Sequence, residues 1–212
     1  MYARRIEKEG ETKTLTFAVS GMLWNRSLVM IDSETNSLWS HLLGRSMAGP
    51  SMDTQLKVLP GLMTDWKTWR QRHPDTTVLK LSRTSQGYLK EFYAEPARFV
   101  IGMSEGDKAR SWSFDVLLQN PFVNDHFADR PILVTFDDQS STAFVYNRRL
   151  AGDTLEFELK DGQLTDRQSG SQWNPATGQC ENGPQAGQVL ELIPAIVSYR
   201  HTWETFYPDS PD

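Results

Sequence analysis

Cysteine is nearly absent from this sequence, which has one among 212 residues. A single thiol excludes a disulfide within the chain and a zinc site built from several thiolates. Long apolar runs are absent as well, since nowhere do about eighteen apolar residues follow one another, as a membrane-spanning helix requires. The opening stretch MYARRIEKEGETKTLTFAVS is charged where a signal peptide is apolar. The sequence therefore predicts no transmembrane segment, and no export signal in this stretch.

An excess of basic charge is also lacking, because the formal net charge is −5 at pH 7. We therefore expect no nucleic-acid partner, which leaves a small molecule or another protein as the partner. No residue pattern identifies a cofactor. Aromatic residues, by contrast, are plentiful, with seven Trp, six Tyr and ten Phe. A chain of this length and composition predicts an aromatic core that forms without cross-links.

Short strands separated by turn residues dominate the pattern. Strand-forming residues, partly alternating, occupy positions 14–20, 27–31, 132–136, 142–146 and 154–159. Helical spacing occurs in two places: a helix capped by Thr64 that ends before Pro74, and one over residues 198–206 that ends before Pro208. We predict a β-rich α+β fold with mostly antiparallel sheets and two or three short helices.

An internal repeat organises the chain. Residues 32–75 align without gaps with residues 166–209, and twelve of the 44 positions are identical. About three identities are expected by chance from ordinary residue usage. The recurring residues with an expected structural role are Asp32, Ser37, Trp39, Gly49, Pro50 and Trp69 in the first copy, and Asp166, Ser171, Trp173, Gly183, Pro184 and Trp203 in the second. The sequence therefore predicts an internally duplicated fold.

The two copies differ in extent. The offset is 134 from Asp32 onward, 140 at Thr14 and 144 at Tyr2, so the loops between these points differ in length. The second copy also extends upstream of Tyr146, through residues 114–118 and 123–126, where the first copy has no counterpart. We divide the chain into a partial first repeat (1–80), a connector packed on the body (81–106) and a complete second repeat (107–212). On this interpretation the reading frame continues upstream of Met1.

Asp32 and Asp166 are each followed by small polar residues, a pattern typical of a turn in which the carboxylate accepts backbone N–H groups. Asn36 and Gly170 occupy the position where such a turn becomes left-handed. The alternative is a metal ligand or a general acid. Because the pattern recurs in both copies, whereas a catalytic group is needed once, we favour the structural role. The recurring tryptophans are expected to anchor equivalent core positions.

Three tryptophans have no matched tryptophan in the other copy: Trp24, Trp66 and Trp112. They are candidates for exposed stacking platforms that hold a sugar ring or a peptide, and packing inside the protein is the alternative.

A ligand or metal site is a further candidate, formed by acidic residues and a histidine on loops that flank the predicted strand 132–136: Asp125, His126, Asp137 and Asp138. The alternative is a capped loop and a solvated acidic turn. No sequence motif identifies a catalytic residue, since neither H-E-x-x-H nor G-x-S-x-G occurs.

Residues 17–50 (FAVSGMLWNRSLVMIDSETNSLWSHLLGRSMAGP) and 56–79 (LKVLPGLMTDWKTWRQRHPDTTVL) resemble the bacterial and archaeal family called domain of unknown function 3179. The likeness covers nearly the whole chain. Its most specific part is Asp32 to Pro50, where Asp, Thr, Ser-x-Trp, Gly and Gly-Pro stand in the family register. The resemblance implies membership of the family but no established activity.

Members of this family typically carry a Cys-Pro-x-Cys segment shortly before the position where this chain starts. In the second copy its place is taken by residues 137–140, Asp-Asp-Gln-Ser, which have no sulfur. The paired thiols that a redox or soft-metal role requires are therefore absent from these 212 residues. Longer members often look exported, so the resemblance leaves the localisation open.

Two functions follow from these observations. We expect a non-enzymatic binding or interaction module of an uncharacterised family, with the cleft between the two copies as the default ligand site. The alternative is a redox or metal-dependent protein whose thiol site lies in an N-terminal segment upstream of Met1.

Overall fold

A computed structural model describes residues 1–8, 10–78 and 95–210. The predicted β-rich, internally duplicated α+β fold is confirmed, because short antiparallel strands dominate these ranges and their helices are short. We call residues 1–78 the first unit and residues 95–210 the second unit. No helix in the described ranges has the length and apolar content needed to cross a membrane. Residues 81–94 of the predicted connector lie outside the described residues.

The first unit starts with a hairpin of β1 (Arg5–Lys8) and β2 (Glu11–Thr14). An antiparallel sheet in the order β3-β4-β5-β6 follows, with β3 Phe17–Trp24, β4 Ser27–Asp32, β5 Leu38–Ser40 and β6 Ser46–Ala48. Helix α1 (Trp66–Arg72) ends the unit.

The second unit starts with β7 (Phe99–Glu105), β8 (Lys108–Ser113) and α2 (Phe114–Gln119). Residues 99–105, assigned to the connector in the predicted division, thus form a strand of the second unit. The next elements are β9 Phe122–Phe127, β10 Arg130–Asp137, β11 Thr142–Asn147, β12 Arg149–Leu150 and β13 Asp153–Thr154. The last are β14 Phe157–Lys160, β15 Gln163–Asp166, β16 Gln172–Trp173, β17 Cys180–Asn182, β18 Ile196–Tyr199 and α3 Arg200–Phe206. These strands form sheets in the orders β18-β7-β8, β11-β10-β9, β12-β13 and β14-β15-β16-β17.

The predicted helix boundaries are wrong at both N-termini. Asp65, and not Thr64, caps α1, because the Asp65 carboxylate accepts a hydrogen bond from the Thr68 N–H (2.8 Å). Ser198 and Tyr199, predicted to be helical, end β18 because they pair with β7, and α3 begins only after them.

The duplication extends to individual hydrogen bonds. The Leu15 N–H donates to the Arg4 carbonyl and the Leu155 N–H donates to the Arg148 carbonyl, both at 2.9 Å. The order β3-β4-β5-β6 recurs as β14-β15-β16-β17. Both units therefore build the same hairpin and four-stranded sheet from related sequence.

One hairpin differs in length between the units. β3 has eight residues where β14 has four, and β4 has six where β15 has four, which together account for the change of sequence offset from 140 to 134 before Asp32. At its tip Asn25 and Arg26 have φ values of 48° and 63°, which a two-residue hairpin turn requires. The longer hairpin reaches the second unit, where the Trp24 ring meets the Phe206 ring edge-on with centroids 4.8 Å apart.

The two units pack through equivalent loops. Leu42 of the first unit joins a buried cluster with Trp203 of α3. Its equivalent in the second unit, Ala176, accepts a hydrogen bond at its carbonyl from Arg72 of α1 (3.3 Å), whose guanidinium carbon also lies 5.2 Å from the centre of the Phe144 ring. Each unit thus contacts the C-terminal helix of the other.

Candidate functional site

The paired aspartates hold the same buried turn in both units. The Asp32 carboxylate accepts the Thr35 N–H at Oδ1 (2.6 Å) and the Trp39 indole N–H at Oδ2 (2.8 Å). Asp166 makes the equivalent bond to the Trp173 indole at 2.9 Å. Both carboxylates have no exposed surface, and both indoles are buried. Both carboxylates are therefore buried parts of the framework of their units.

The same framework includes a second turn formed by a serine, a glycine and a proline: Ser37, Gly49 and Pro50 in the first unit, and Ser171, Gly183 and Pro184 in the second. The glycines have φ values of 95° and 100°, and a Cβ on either would lie 2.8 Å from the Cα of the serine. Glycine is required here for both reasons, since an L side chain is strained and also too large.

Trp69 and Trp203 share their local bonding but not their burial. The Trp203 ring is 1% exposed and lies so close to Gly102 that a Cβ there would be 2.4 Å from it. Trp69 is half-buried, and α1 has no buried residue. In the described residues α1 lies on no sheet, whereas α3 lies beside β7, so the expectation that both rings anchor the core is wrong for Trp69.

The three unmatched tryptophans lie in different places. Trp112 is 5% exposed and donates its indole N–H to Asp125 Oδ2 (2.9 Å), so the expectation of an exposed ring is wrong for Trp112. Trp24 packs on Phe206, and about four tenths of its surface is exposed. Trp66 of α1 is about half exposed. Because Trp112 is buried, the three rings do not form one exposed surface.

The predicted ligand group of Asp125, His126, Asp137 and Asp138 is not one site. Asp125 and His126 pair with the start of β10, opposite Ile132 and Pro131, whereas Asp137 ends that strand. Five residues of extended strand separate these positions, or about 17 Å. Within residues 1–8, 10–78 and 95–210, no three His, Cys, Asp or Glu side chains are grouped closely enough to hold a metal ion.

The carboxylates of this group also have protein partners. Asp125 Oδ2 accepts the Trp112 indole N–H and forms an ion pair with Arg110 (2.7 Å). Asp137 accepts the Ser140 hydroxyl at 2.6 Å, which closes the turn before β11. Both contacts agree with the alternative of a capped loop and an acidic turn.

A groove of about 460 Å³ lies between the two units. One wall is formed by residues 61–63 of the first unit and the other by residues 195–199 of the second. Leu62 and Ile196 occupy equivalent positions on the two walls, as do Met63 and Val197. We call this space the inter-unit groove. Its lining is mainly aliphatic, with Leu28 and Leu42 adding to the apolar surface.

A second pocket of about 520 Å³, lined by basic residues, adjoins one end of the inter-unit groove. Arg26, Tyr199 and Thr202 line both spaces, so the two are adjacent. The basic residues of this pocket are Arg26, Arg98, Arg200 and His201, and Glu204 is the acidic residue that lines it with them. We call this end the basic mouth.

The arginines of the basic mouth differ in how they are held. Arg98 pairs with the exposed Glu95 at 3.4 Å, and Arg200 pairs with Asp115. Arg26 forms no ion pair with any residue in the described ranges. Its position at the tip of the long hairpin therefore presents an unpaired guanidinium to the mouth.

Tyr2 lines the inter-unit groove at its first-unit side. Its hydroxyl donates to the Leu42 carbonyl (2.7 Å), and burial raises the pKa of Tyr2 far above its ordinary value of 10. The phenol therefore stays protonated and fixes the loop that carries Leu42.

The predicted candidates omitted the residues of the groove, although two signals were present. The matched apolar pairs of residues 62–63 and 196–197 recur at the sequence offset of 134. The shift of that offset upstream of Asp32 marks the longer hairpin that carries Arg26. No signal in one sequence shows that these two features meet.

The repeated turns and paired four-stranded sheets define an internally duplicated β-rich protein. The protein family of unknown function DUF3179 matches residues 1–99 and again residues 91–211. The chain therefore belongs to this family, as the resemblance predicted, and the two matches agree with the internal repeat. No curated protein and no solved structure is significantly similar to the chain.

Proposed function

We propose that this protein is a non-enzymatic binding module that holds a ligand with an apolar body and an anionic end in the inter-unit groove. The observation that carries the proposal is that the aliphatic groove and the basic mouth adjoin and share three lining residues. The volumes of the two spaces are in the range of small-molecule sites, about 300–1,000 Å³.

The apolar walls supply affinity, because a ligand placed between Leu62 and Ile196 removes apolar surface of both units from water. The basic mouth supplies selectivity for an anion. Arg26 has no ionic partner among the described residues. The Arg98–Glu95 pair is exposed and therefore weak. Both guanidiniums can therefore bind a carboxylate or phosphate.

The test is a calorimetric titration with decanoate, with decanol as the neutral probe of the same chain length. We expect decanoate to bind at least several-fold more tightly than decanol, and Arg26→Gln to weaken decanoate about tenfold without changing decanol. Arg5→Gln, which removes an exposed arginine of β1, is the matched control and is expected to change neither. The absence of decanoate binding, or equal loss in both variants, would contradict the proposal.

A further inference from the structure

The hairpin of β3 and β4, which we call the long hairpin, exposes a large apolar surface. The exposed fractions of four of its side chains lie between 39% and 71%: Val19, Met22, Leu23 and Trp24. Residues 17–31 include no acidic residue, and Arg26 is their one charged residue. Exposed strands usually carry several charged side chains, and an exposed apolar patch marks an interaction surface.

The equivalent hairpin of the second unit has a different composition. β14 and β15 are shorter, and their tip is charged, with Lys160 and Asp161. Leu159 is exposed there as well, but it lies between Glu158 and Lys160. The repeated sheet therefore forms without an apolar tip, and the apolar surface of the long hairpin needs another explanation than the fold.

Two of the exposed side chains point to the same face of the long hairpin. Val19 lies opposite Met30 of β4, and Leu23 lies opposite Leu28. Residues opposite each other in antiparallel strands share a face, as do residues two positions apart in one strand. Leu28 also lines the inter-unit groove. The exposed Leu23 is therefore the neighbour of a groove residue.

Positive charge lies beside this apolar surface. Arg26 is exposed at the tip of the long hairpin, and it lines the basic mouth together with Arg98 and Arg200. Although the net charge of the whole chain is −5, this end of the molecule thus presents guanidiniums next to apolar side chains. A membrane surface with anionic lipids has the complementary arrangement, because its negative headgroups cover apolar chains.

The backbone of β3 favours a lipid partner over a second copy of the chain. Residues 20–22 form a bulge between the pairs of Val19 and Leu23 with β4. Within the bulge the Ser20 hydroxyl accepts the Met22 N–H (3.1 Å) and donates to the Val29 carbonyl (2.6 Å). A bulge bends a strand and interrupts the regular edge that another strand requires. Lipid contacts the side chains and needs no such edge.

We propose that the long hairpin docks this protein on the surface of a membrane that contains anionic lipids. Met22, Leu23 and Trp24 enter the boundary between headgroups and acyl chains, where tryptophan is typically enriched, and Arg26 binds lipid phosphates. Docking goes beyond the proposed function, because it requires no ligand in the inter-unit groove. It also places that groove beside a lipid layer, in which molecules with an apolar body and an anionic end are abundant.

The test is co-sedimentation of the full chain with vesicles of phosphatidylcholine, either alone or with phosphatidylserine as about one lipid in three. We expect binding to be at least about fivefold tighter with phosphatidylserine, and Arg26→Gln to remove most of this difference. Leu23→Ser is expected to weaken binding to the anionic vesicles roughly tenfold, because it removes apolar surface that enters the lipid. Leu159→Ser, at the exposed leucine of the equivalent hairpin, is the matched control and is expected to change nothing.

A fluorescent label provides a second readout that locates the contact. The native Cys180 is buried, so a thiol-reactive nitrobenzoxadiazole label attaches to a cysteine introduced at an exposed position. With Leu23→Cys we expect anionic vesicles to shift the emission to the blue and raise its intensity, since the label enters an apolar environment. With Leu159→Cys we expect no change.

Docking through the long hairpin is overturned if the parent chain does not bind anionic vesicles, or if Leu23→Ser and Leu159→Ser weaken binding equally. A dimer in sedimentation velocity that Leu23→Ser dissociates, without vesicle binding, would assign the patch to a second copy. The decanoate titration is a separate test. Leu23 is not among the residues that line the groove, so Leu23→Ser is expected to leave decanoate binding unchanged. Docking can thus fail while the proposed function holds, and the reverse.

Discussion

The two units share a turn down to its hydrogen bonds, but they support the following helix differently. In each unit the indole N–H of the helix tryptophan donates at 3.2 Å to a hydroxyl seven residues later, from Trp69 to Thr76 and from Trp203 to Ser210. Yet the Trp203 ring is buried and the Trp69 ring is only half-buried. The indole hydrogen bond therefore forms whether the tryptophan ring is fully buried, as in α3, or only half-buried, as in α1.

The difference arises from the neighbours of each helix. α3 lies beside β7, where Gly102 leaves space for the Trp203 ring and Val100 joins the same buried cluster. In the described residues α1 has no such sheet beneath it and contacts the second unit through Arg72. Short-range sequence thus sets the geometry of the helix end, whereas distant strands decide how much of it is buried.

The largest expected effect is the difference in stability loss between removing the tryptophan of α3 and removing that of α1. Trp203→Ala removes a fully buried ring and is expected to lower the free energy of unfolding by roughly 3–5 kcal/mol. Trp69→Ala removes a half-buried ring and is expected to cost only about 1 kcal/mol. Urea denaturation followed by far-UV circular dichroism measures both losses. Equal losses would show that α1 is as firmly packed as α3, and the comparison of the two units would then fail.

The second expected effect is a smaller loss of stability that should be equal in the two units. Asp32→Asn and Asp166→Asn each replace one carboxylate oxygen with an NH2 group, so either the indole N–H or the backbone N–H loses its acceptor, and each is expected to cost about 1–3 kcal/mol. Asp138→Asn, at an exposed position, is the matched control and is expected to stay within about 0.5 kcal/mol of the parent. The same urea titration applies. A large loss in one unit only would mean that the two turns do not support their units equally.

The turn and the duplication could be predicted because both depend on residues near each other in sequence. Asp32, Asn36 and Trp39 lie within eight positions, and their spacing is enough to predict the turn and the backbone N–H bonds to the carboxylate, but not the bond from the Trp39 indole. Asn36 indeed has a φ of 56°, and Gly170 has a φ of 70° at the equivalent position. Recurrence at a fixed offset then carries the same prediction to the second unit.

The sequence predicts a cleft between the two copies but not the residues that line it, because the lining depends on which segments of the two units meet. Gly61 and Ala195 are 134 residues apart, and no local pattern brings them to one space. Asp125 and Asp137 show the reverse case, because they are close in sequence but do not lie at one site. A strand between them extends along its whole length, so residues close in sequence end far apart.

The smallest expected effect concerns the response of the first unit to acid. Burial alone would raise the pKa of Asp32, but the hydrogen bonds from Trp39 and Thr35 outweigh burial and lower that pKa below its ordinary value. A carboxyl whose pKa is lower in the folded state adds stability above its unfolded pKa, about 3.9, and loses that contribution as pH falls through the folded pKa. The difference in unfolding free energy between the parent and Asp32→Asn should therefore shrink between pH 6 and about pH 2. Urea titrations at a series of pH values measure it, and a constant or growing difference would mean that the turn does not favour the ionised carboxylate.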